Sequence, residues 1–185
     1  LECLKSSKSV VRSEAIDCIG AYKQLQNTSK DNLMLKYKVI NALRALYKSE
    51  KNQDIMIKII HLMSKMSAVS TLEFLTDILK DSNVHCRAEA IYALSNYNDL
   101  AVARLIKPYL NSTIDKEKIS AVMALFHFKE FRLQALEIIN FFLDSKNHEQ
   151  VEHALYAIGE LKLKHKESVC LRYLHDKNID LQLNA

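Results

Sequence analysis

The sequence predicts an all-α fold, a right-handed α-α superhelix of five to six helical hairpins cut short at both ends. Three observations predict it. Helix breakers are nearly missing: 2 Gly and 1 Pro stand in 185 residues, against an ordinary usage of about 7% and 5%. A sheet protein of this length would need many more Gly-rich turns. Apolar residues make up 49% of the chain and fall at helical spacing, enough for a core and against bulk disorder. A small residue in a fixed setting recurs at nearly constant intervals, which marks stacked repeats.

The recurring setting is a small residue that follows a basic or polar residue by three and precedes apolar residues by one and by four. It fits Arg12, Ala15, Ile16 and Ile19, then Arg87, Ala90, Ile91 and Leu94, then Lys118, Ala121, Val122 and Leu125. In Val151, Ala154, Leu155 and Ile158 the basic position has become Val. A degenerate copy is Met56, Ile59, Ile60 and Met63, and a cut-off copy ends in Ala185. The markers at 15, 59, 90, 121, 154 and 185 lie 44, 31, 31, 33 and 31 residues apart.

Each marker helix is preceded by a second apolar helix, expected at 31–49, 69–80, 99–111, 130–144 and 166–175. Leu72, Leu75, Ile78 and Leu79 show the spacing in one; Leu136, Ile139, Phe142 and Leu143 show it in another. Polar turns at 80–83, 111–116, 144–150 and 175–178 supply Asp, Ser and Asn as N-caps. A long first helix and a connector at 26–31 account for the interval of 44. Pro108 falls inside a first helix, where it implies a bend. The repeats then cover 1–25, 31–66, 69–97, 99–128, 130–161 and, in part, 166–185, one array over 1–185. Helices paired at this period bury their apolar faces only by stacking on their neighbours. Ends cut within a repeat would leave apolar faces uncapped, so end-to-end self-association is expected.

On these residues the chain resembles the HEAT-repeat family and the related group named after phycobilisome-lyase subunits. The resemblance rests on three units: Asp81 with Arg87-Ala88-Glu89-Ala90-Ile91-Tyr92-Ala93-Leu94, Ser6 with Arg12, Ala15, Ile16, Ile19 and Gly20, and Asp144 with Val151, Ala154, Leu155, Ile158 and Gly159. It implies a HEAT- or armadillo-type solenoid and a ladder of turn Asp with a basic residue six positions on. That pair is complete at Asp81/Arg87; elsewhere it reads Ser6/Arg12, Ser112/Lys118, Asp144/Gln150 and Asp176/Gln182. It also implies a bent first helix, matching Pro108. The family includes lyases and DNA glycosylases, less favoured alternatives here, because a fold does not carry its function with it.

The chain offers little for chemistry. Two glycines cannot build a phosphate loop, and neither a GxSxG elbow nor HExxH occurs. The seven histidines form no pair at i,i+4, so no metal and no cofactor is expected, and the reading is not an enzyme. The four cysteines, Cys3, Cys18, Cys86 and Cys170, form no CxxC pair and suggest buried or half-buried thiols in a reducing compartment. No apolar run approaches the roughly 20 residues of a membrane span, which points to a cytoplasmic location or the cytosolic face of a membrane protein. Residues 1–66 hold 12 Lys and Arg against 6 Asp and Glu, and the remainder 14 against 16. The basic N-terminal third either forms a solvated face of ordinary helices or faces an anionic membrane surface or an acidic partner. Nucleic acid is disfavoured, since the expected inner wall mixes both charge signs and Trp is absent.

The inner wall is the place for a site. Positions one before, two after and six after each marker share a face. Stacking would align His61, Tyr92, Met123 and Tyr156 in one row, with Lys58, Asn96, His127 and His153 beside it. Tyr, Met and His are adaptable contact residues. The row either lines a protein- or peptide-binding groove or packs ring on ring between repeats. The expected function is a non-catalytic scaffold binding a protein or peptide on this face. The alternative is a regulatory or spacer module of a larger, membrane-associated protein.

Overall fold

Ten α-helices form among the described residues of the computed structural model, which are 1–22, 30–66, 68–174 and 182. They fall into two compact units, Leu1–Tyr97 and Asn98–Ala185. No strand occurs among the described residues. The connector at 26–29, the turn at 175–178 and the marker Ala185 lie outside them.

The first unit holds α1 (Ser9–Ala21), α2 (Lys30–Ser49), α3 (Gln53–Lys65), α4 (Val69–Ile78) and α5 (Val84–Leu94). A 3-10 turn at Glu2–Lys5 precedes them, and another at Ser95–Tyr97 follows. The marker helices α1, α3 and α5 pack in succession, with α2 and α4 against α3 and α5 respectively. On α2 the buried residues Val39, Ile40, Leu43, Leu46 and Tyr47 follow the i, i+1, i+4, i+7, i+8 stripe of one helical face. The markers Ile59 and Ala90 are fully buried.

The second unit holds α6 (Leu100–Ile106), α7 (Asp115–Leu125), α8 (Lys129–Leu143), α9 (His148–Glu160) and α10 (Glu167–Tyr173). After Ile106 the α-helix gives way to a 3-10 segment, Lys107–Asn111, with Pro108 in its first turn. Proline lacks the N–H that an α-helical bond would need, and its ring crowds the preceding turn. The expected 99–111 helix is thus two segments. The helix α7 is surrounded by α6, this 3-10 segment, α8 and α9. It consequently buries every residue from Ile119 to Leu125.

The turns before the marker helices share one device. A side-chain oxygen accepts the N–H two residues on: Ser6 from Lys8, Glu50 from Asn52, Asp81 from Asn83, Ser112 from Ile114 and Ser145 from Asn147. Where that second residue is Asn, it then caps the helix: Asn52, Asn83 and Asn147 each accept N–H groups of the first turn. Two expectations change here. The turn residue of the 130–161 repeat is Ser145, not Asp144, and Gln150 donates to Asp115 Oδ2 at 2.7 Å. The basic residues Arg12 and Arg87 donate to main-chain carbonyls, those of Ser6 and Ser7 and of Asp81 and Ser82. The carboxylate for Arg12 comes from Glu50 in the next turn, with Nε to Oε2 at 2.7 Å and Nη2 to Oε1 at 2.8 Å. The Asp81 Oδ2 accepts the Tyr47 hydroxyl at 3.0 Å.

The cysteines also differ from expectation. Cys86 is buried and Cys170 half-buried, but Cys3 and Cys18 are exposed. Burial pushes the Cys86 thiol up, and burial with the neighbouring Cys86 and Asp81 pushes the Tyr47 hydroxyl up.

In the basic segment after α9 Leu163 is buried. Leu163 N–H donates to Ile158 and Lys162 N–H to Gly159, the two bonds of a Schellman closure. Lys162 holds φ 53 at the position that glycine favours. Lys162→Gly is expected to raise stability by about 1 kcal/mol, read as a higher urea midpoint. An unchanged midpoint would mean that the lysine side chain compensates for its backbone strain.

Candidate functional site: the marker-helix face

Side chains of α1, α3 and α5 meet on the marker-helix face of the first unit in a repeating way. The residue two after one marker reaches the residue one before the next. Asp17 follows Ala15 by two, and its Oδ2 accepts from Lys58 Nζ at 2.6 Å. His61 follows Ile59 by two, and its Nε2 lies 2.8 Å from Glu89 Oε2. The diagonal pairing fits helical side chains, which lean toward the N-terminus of their own helix. Two more contacts complete the face. Lys58 Nζ donates to Ser13 Oγ at 2.8 Å, and Asn96 Nδ2 donates to Ser64 Oγ at 3.1 Å. Between α1 and α3, Asp17, Lys58, His61 and Lys65 rim a shallow hollow floored by Ile16, Gly20 and Leu62.

The pairs are exposed enough for water to screen them. The Lys58 side chain is 39% exposed, Asp17 51% and His61 49%. Exposed ion pairs contribute about 0–1 kcal/mol, so this face is held in register by the core beneath it. Its charges remain available to a ligand.

A family model for HEAT repeats matches residues 1–95, which spans the first unit. The chain belongs to the HEAT-repeat family. Among solved structures, the HEAT-repeat chain is similar to the complex of CpcE and CpcF of phycocyanin lyase from Nostoc sp. PCC7120. The identity is 15%, the match covers 98% of this chain and 71% of that one, and the TM-score is 0.59. It is also similar to a designed armadillo repeat protein in complex with the peptide (KR)4, at 13% identity, 99% and 93% coverage and a TM-score of 0.46. An engineered protein matches at 14% identity, 99% and 90% coverage and a TM-score of 0.45. At 15% identity the likeness to the CpcE and CpcF complex shows the fold alone. No curated protein matches the sequence.

Within the HEAT-repeat chain, the structure brings some of the expected site residues together. Lys58, His61 and Asn96 all sit on the marker-helix face of the first unit and reach across to neighbouring helices or turns. Tyr92, on α5, is half-buried. In the second unit Tyr156 is 46% exposed on α9, and His127 is exposed in the turn after α7, edge-on to Phe126. His153 is half-buried, and its Nδ1 is buried without a hydrogen-bond partner among the described residues. Burial is the main cause holding its imidazole below the usual range, with Glu149 and Glu152 pulling the other way.

Met123 is a correction. It was expected on an open face but is 5% exposed, and its neighbour in the pattern, Ser120, is 6% exposed. The reason is the central place of α7, which has partners on several sides and leaves no free stripe. Met123 therefore packs in the core instead of lining a groove.

The rungs Asp17/Lys58 and His61/Glu89 were not anticipated as pairs, although all four positions had been assigned to the shared face. The signal was present: complementary hydrogen-bonding side chains two after one marker and one before the next. The Arg12/Glu50 pair was missed because Glu50 stands before the degenerate repeat, whose basic position is Met56. Its signal is an acid two residues ahead of Asn52, as Asp81 is ahead of Asn83.

Among the described residues no helix is long and apolar enough to cross a membrane.

Proposed function

We propose that the chain is a non-catalytic HEAT-repeat scaffold that holds a protein or peptide partner on its marker-helix face, in the cytoplasm or at the cytosolic face of a membrane. One observation carries this reading. Successive helices of the first unit present an ordered, solvent-facing run of polar side chains, Asp17/Lys58 and then His61/Glu89, with Asn96 beyond. Such a run offers alternating donors and acceptors at the spacing of the repeats, which suits a chain-like ligand. Each unit also has a tyrosine on a marker helix, Tyr92 on α5 of the first and Tyr156 on α9 of the second, and Tyr is favoured at interfaces at low entropic cost.

The test is a double variant, Tyr92→Ala with Tyr156→Ala. Partners retained by the immobilised chain from its source cells are identified by mass spectrometry and their retention compared. The variant is expected to keep its helical circular dichroism and to lose about tenfold or more of its retention of a specific partner, the loss typical when two aromatic contacts are truncated. Unchanged retention would remove both tyrosines from the function.

A further inference from the structure

We infer that the hollow between α1 and α3 takes a short acidic segment of the protein partner, with one aliphatic side chain as its anchor. The inference rests on the scaffold reading and names the chemistry of what that face receives.

The floor of the hollow is apolar. Ile16 is 2% exposed and Leu62 8%. Between them Gly20 leaves the helix surface bare, and a Cβ there would come 3.6 Å from Leu62 Cδ1. A methyl group thus fits in van der Waals contact, so the missing side chain leaves a recess that an aliphatic group can enter. Both walls are helical and fixed by the core, so the recess exists before a ligand arrives.

The rim carries a net positive charge. Among the charged residues lining the hollow, Lys58 and Lys65 stand against Asp17. Lys58 is neutralised by Asp17, and His61 hydrogen-bonds with Glu89 outside the lining. Lys65 lies one turn beyond His61, is exposed, and has no hydrogen-bond or ion-pair partner among the described residues. It is the uncompensated charge of the hollow, and it stands over apolar surface where water screens it less than in the open. A carboxylate next to an aliphatic anchor satisfies both features. A nucleic-acid backbone would need a run of cations, and it has no aliphatic group for the floor. The surplus of Lys and Arg over Asp and Glu in residues 1–66, 12 against 6, steers an acidic ligand toward this end of the chain.

The experiment uses the whole 185-residue chain and fluorescence anisotropy. The probe is a labelled pentapeptide of four glutamates around a central leucine. Comparison probes replace the leucine with alanine or the glutamates with lysines, and a thymidine 15-mer serves as competitor. The acidic leucine peptide is expected to bind, to weaken with added salt, and to bind more weakly when leucine becomes alanine. Lys65→Glu should weaken it about tenfold, the scale expected when a close charge pair becomes a like-charge contact. Lys65 is exposed, so this variant keeps the fold whatever happens at Gly20. Gly20→Leu, which fills the recess, should abolish binding with an unchanged circular dichroism spectrum.

Equal binding of the lysine peptide, displacement by the oligonucleotide, or no effect of Lys65→Glu would each overturn the inference. The two readings fail separately. If the acidic peptide does not bind while partner retention still depends on Tyr92 and Tyr156, the hollow is ruled out and the scaffold reading stands. If peptide binding follows Lys65 and Gly20 while retention ignores the two tyrosines, the assignment of those tyrosines falls.

Discussion

Glu50→Ala is expected to lower the stability of the first unit by about 3 kcal/mol, the lower end for breaking an ion pair by removing its buried partner. Glu50 holds four donors. Arg12 donates to both of its oxygens, and the N–H groups of Lys51 and Asn52 both reach Oε1 at 3.0 Å. The Glu50 side chain is 2% exposed and that of Arg12 15%. Truncation removes the carboxylate of the guanidinium, leaving it the Ser6 and Ser7 carbonyls, and frees the turn that starts α3. A urea titration followed by circular dichroism measures the loss. The double variant Glu50→Ala with Arg12→Met should be less destabilised than the two single changes combined, because neither then leaves a charge behind. Additive effects would show that the pair does not act as a pair.

The same residue sets a pH signature. The hydrogen bonds from Arg12, together with the two turn N–H groups, hold the Glu50 carboxyl down at about 2. Its folded value is therefore depressed below the unfolded one, so the native state binds fewer protons in that range. The contribution is complete above the ordinary carboxyl range of about 4.3 and is lost as pH falls from there through about 2. Unfolding free energy should accordingly fall across that window. In Glu50→Ala this part of the slope should disappear. A variant with an unaltered slope would assign the acid sensitivity to other carboxylates.

Ala90→Leu is the second large effect, with an expected loss of about 3 kcal/mol at the upper end for overpacking. Ala90 is fully buried on α5, which packs against α3 and α4, and the adjacent Ile91 and Leu94 are also fully buried. A leucine there adds three carbons where no space remains, so the helices must separate or the side chain must leave its rotamer. Ala90→Gly should cost only about 1 kcal/mol, from helix propensity. Thermal melting of both variants tests the point. A leucine variant as stable as the parent would mean that α5 does not approach its neighbours closely at this marker.

Much of the architecture was legible because it rests on local rules. Asn52, Asn83 and Asn147 announce the starts of α3, α5 and α9, since a short polar side chain before an apolar run can take the first free N–H groups. Pro108 announced the break in the fourth first-helix for an equally local reason. The marker spacing placed Ile59, Ala90, Ala121 and Ala154 in the core, where all four are fully buried.

The site was legible in its face but not in its pairs. Helical period tells which side of α3 carries Lys58 and His61. It does not tell how far α3 slides along α1 and α5, and that offset decides whether Lys58 meets Asp17, 41 residues back, and whether His61 meets Glu89, 28 ahead. Met123 shows the same limit. Its place two after the marker gives a direction around α7, while exposure depends on how many neighbours surround that helix.

By itself the sequence determined that this chain is a stack of helical hairpins, because breaker content, capping residues and apolar period act over a few residues and need no knowledge of distant chain. The tertiary structure alone decided that Arg12 finds its carboxylate in Glu50, that Met123 is core, and that Gly20 opens a recess beneath Lys65. Each of these depends on the relative placement of helices, which many side chains set jointly through close packing.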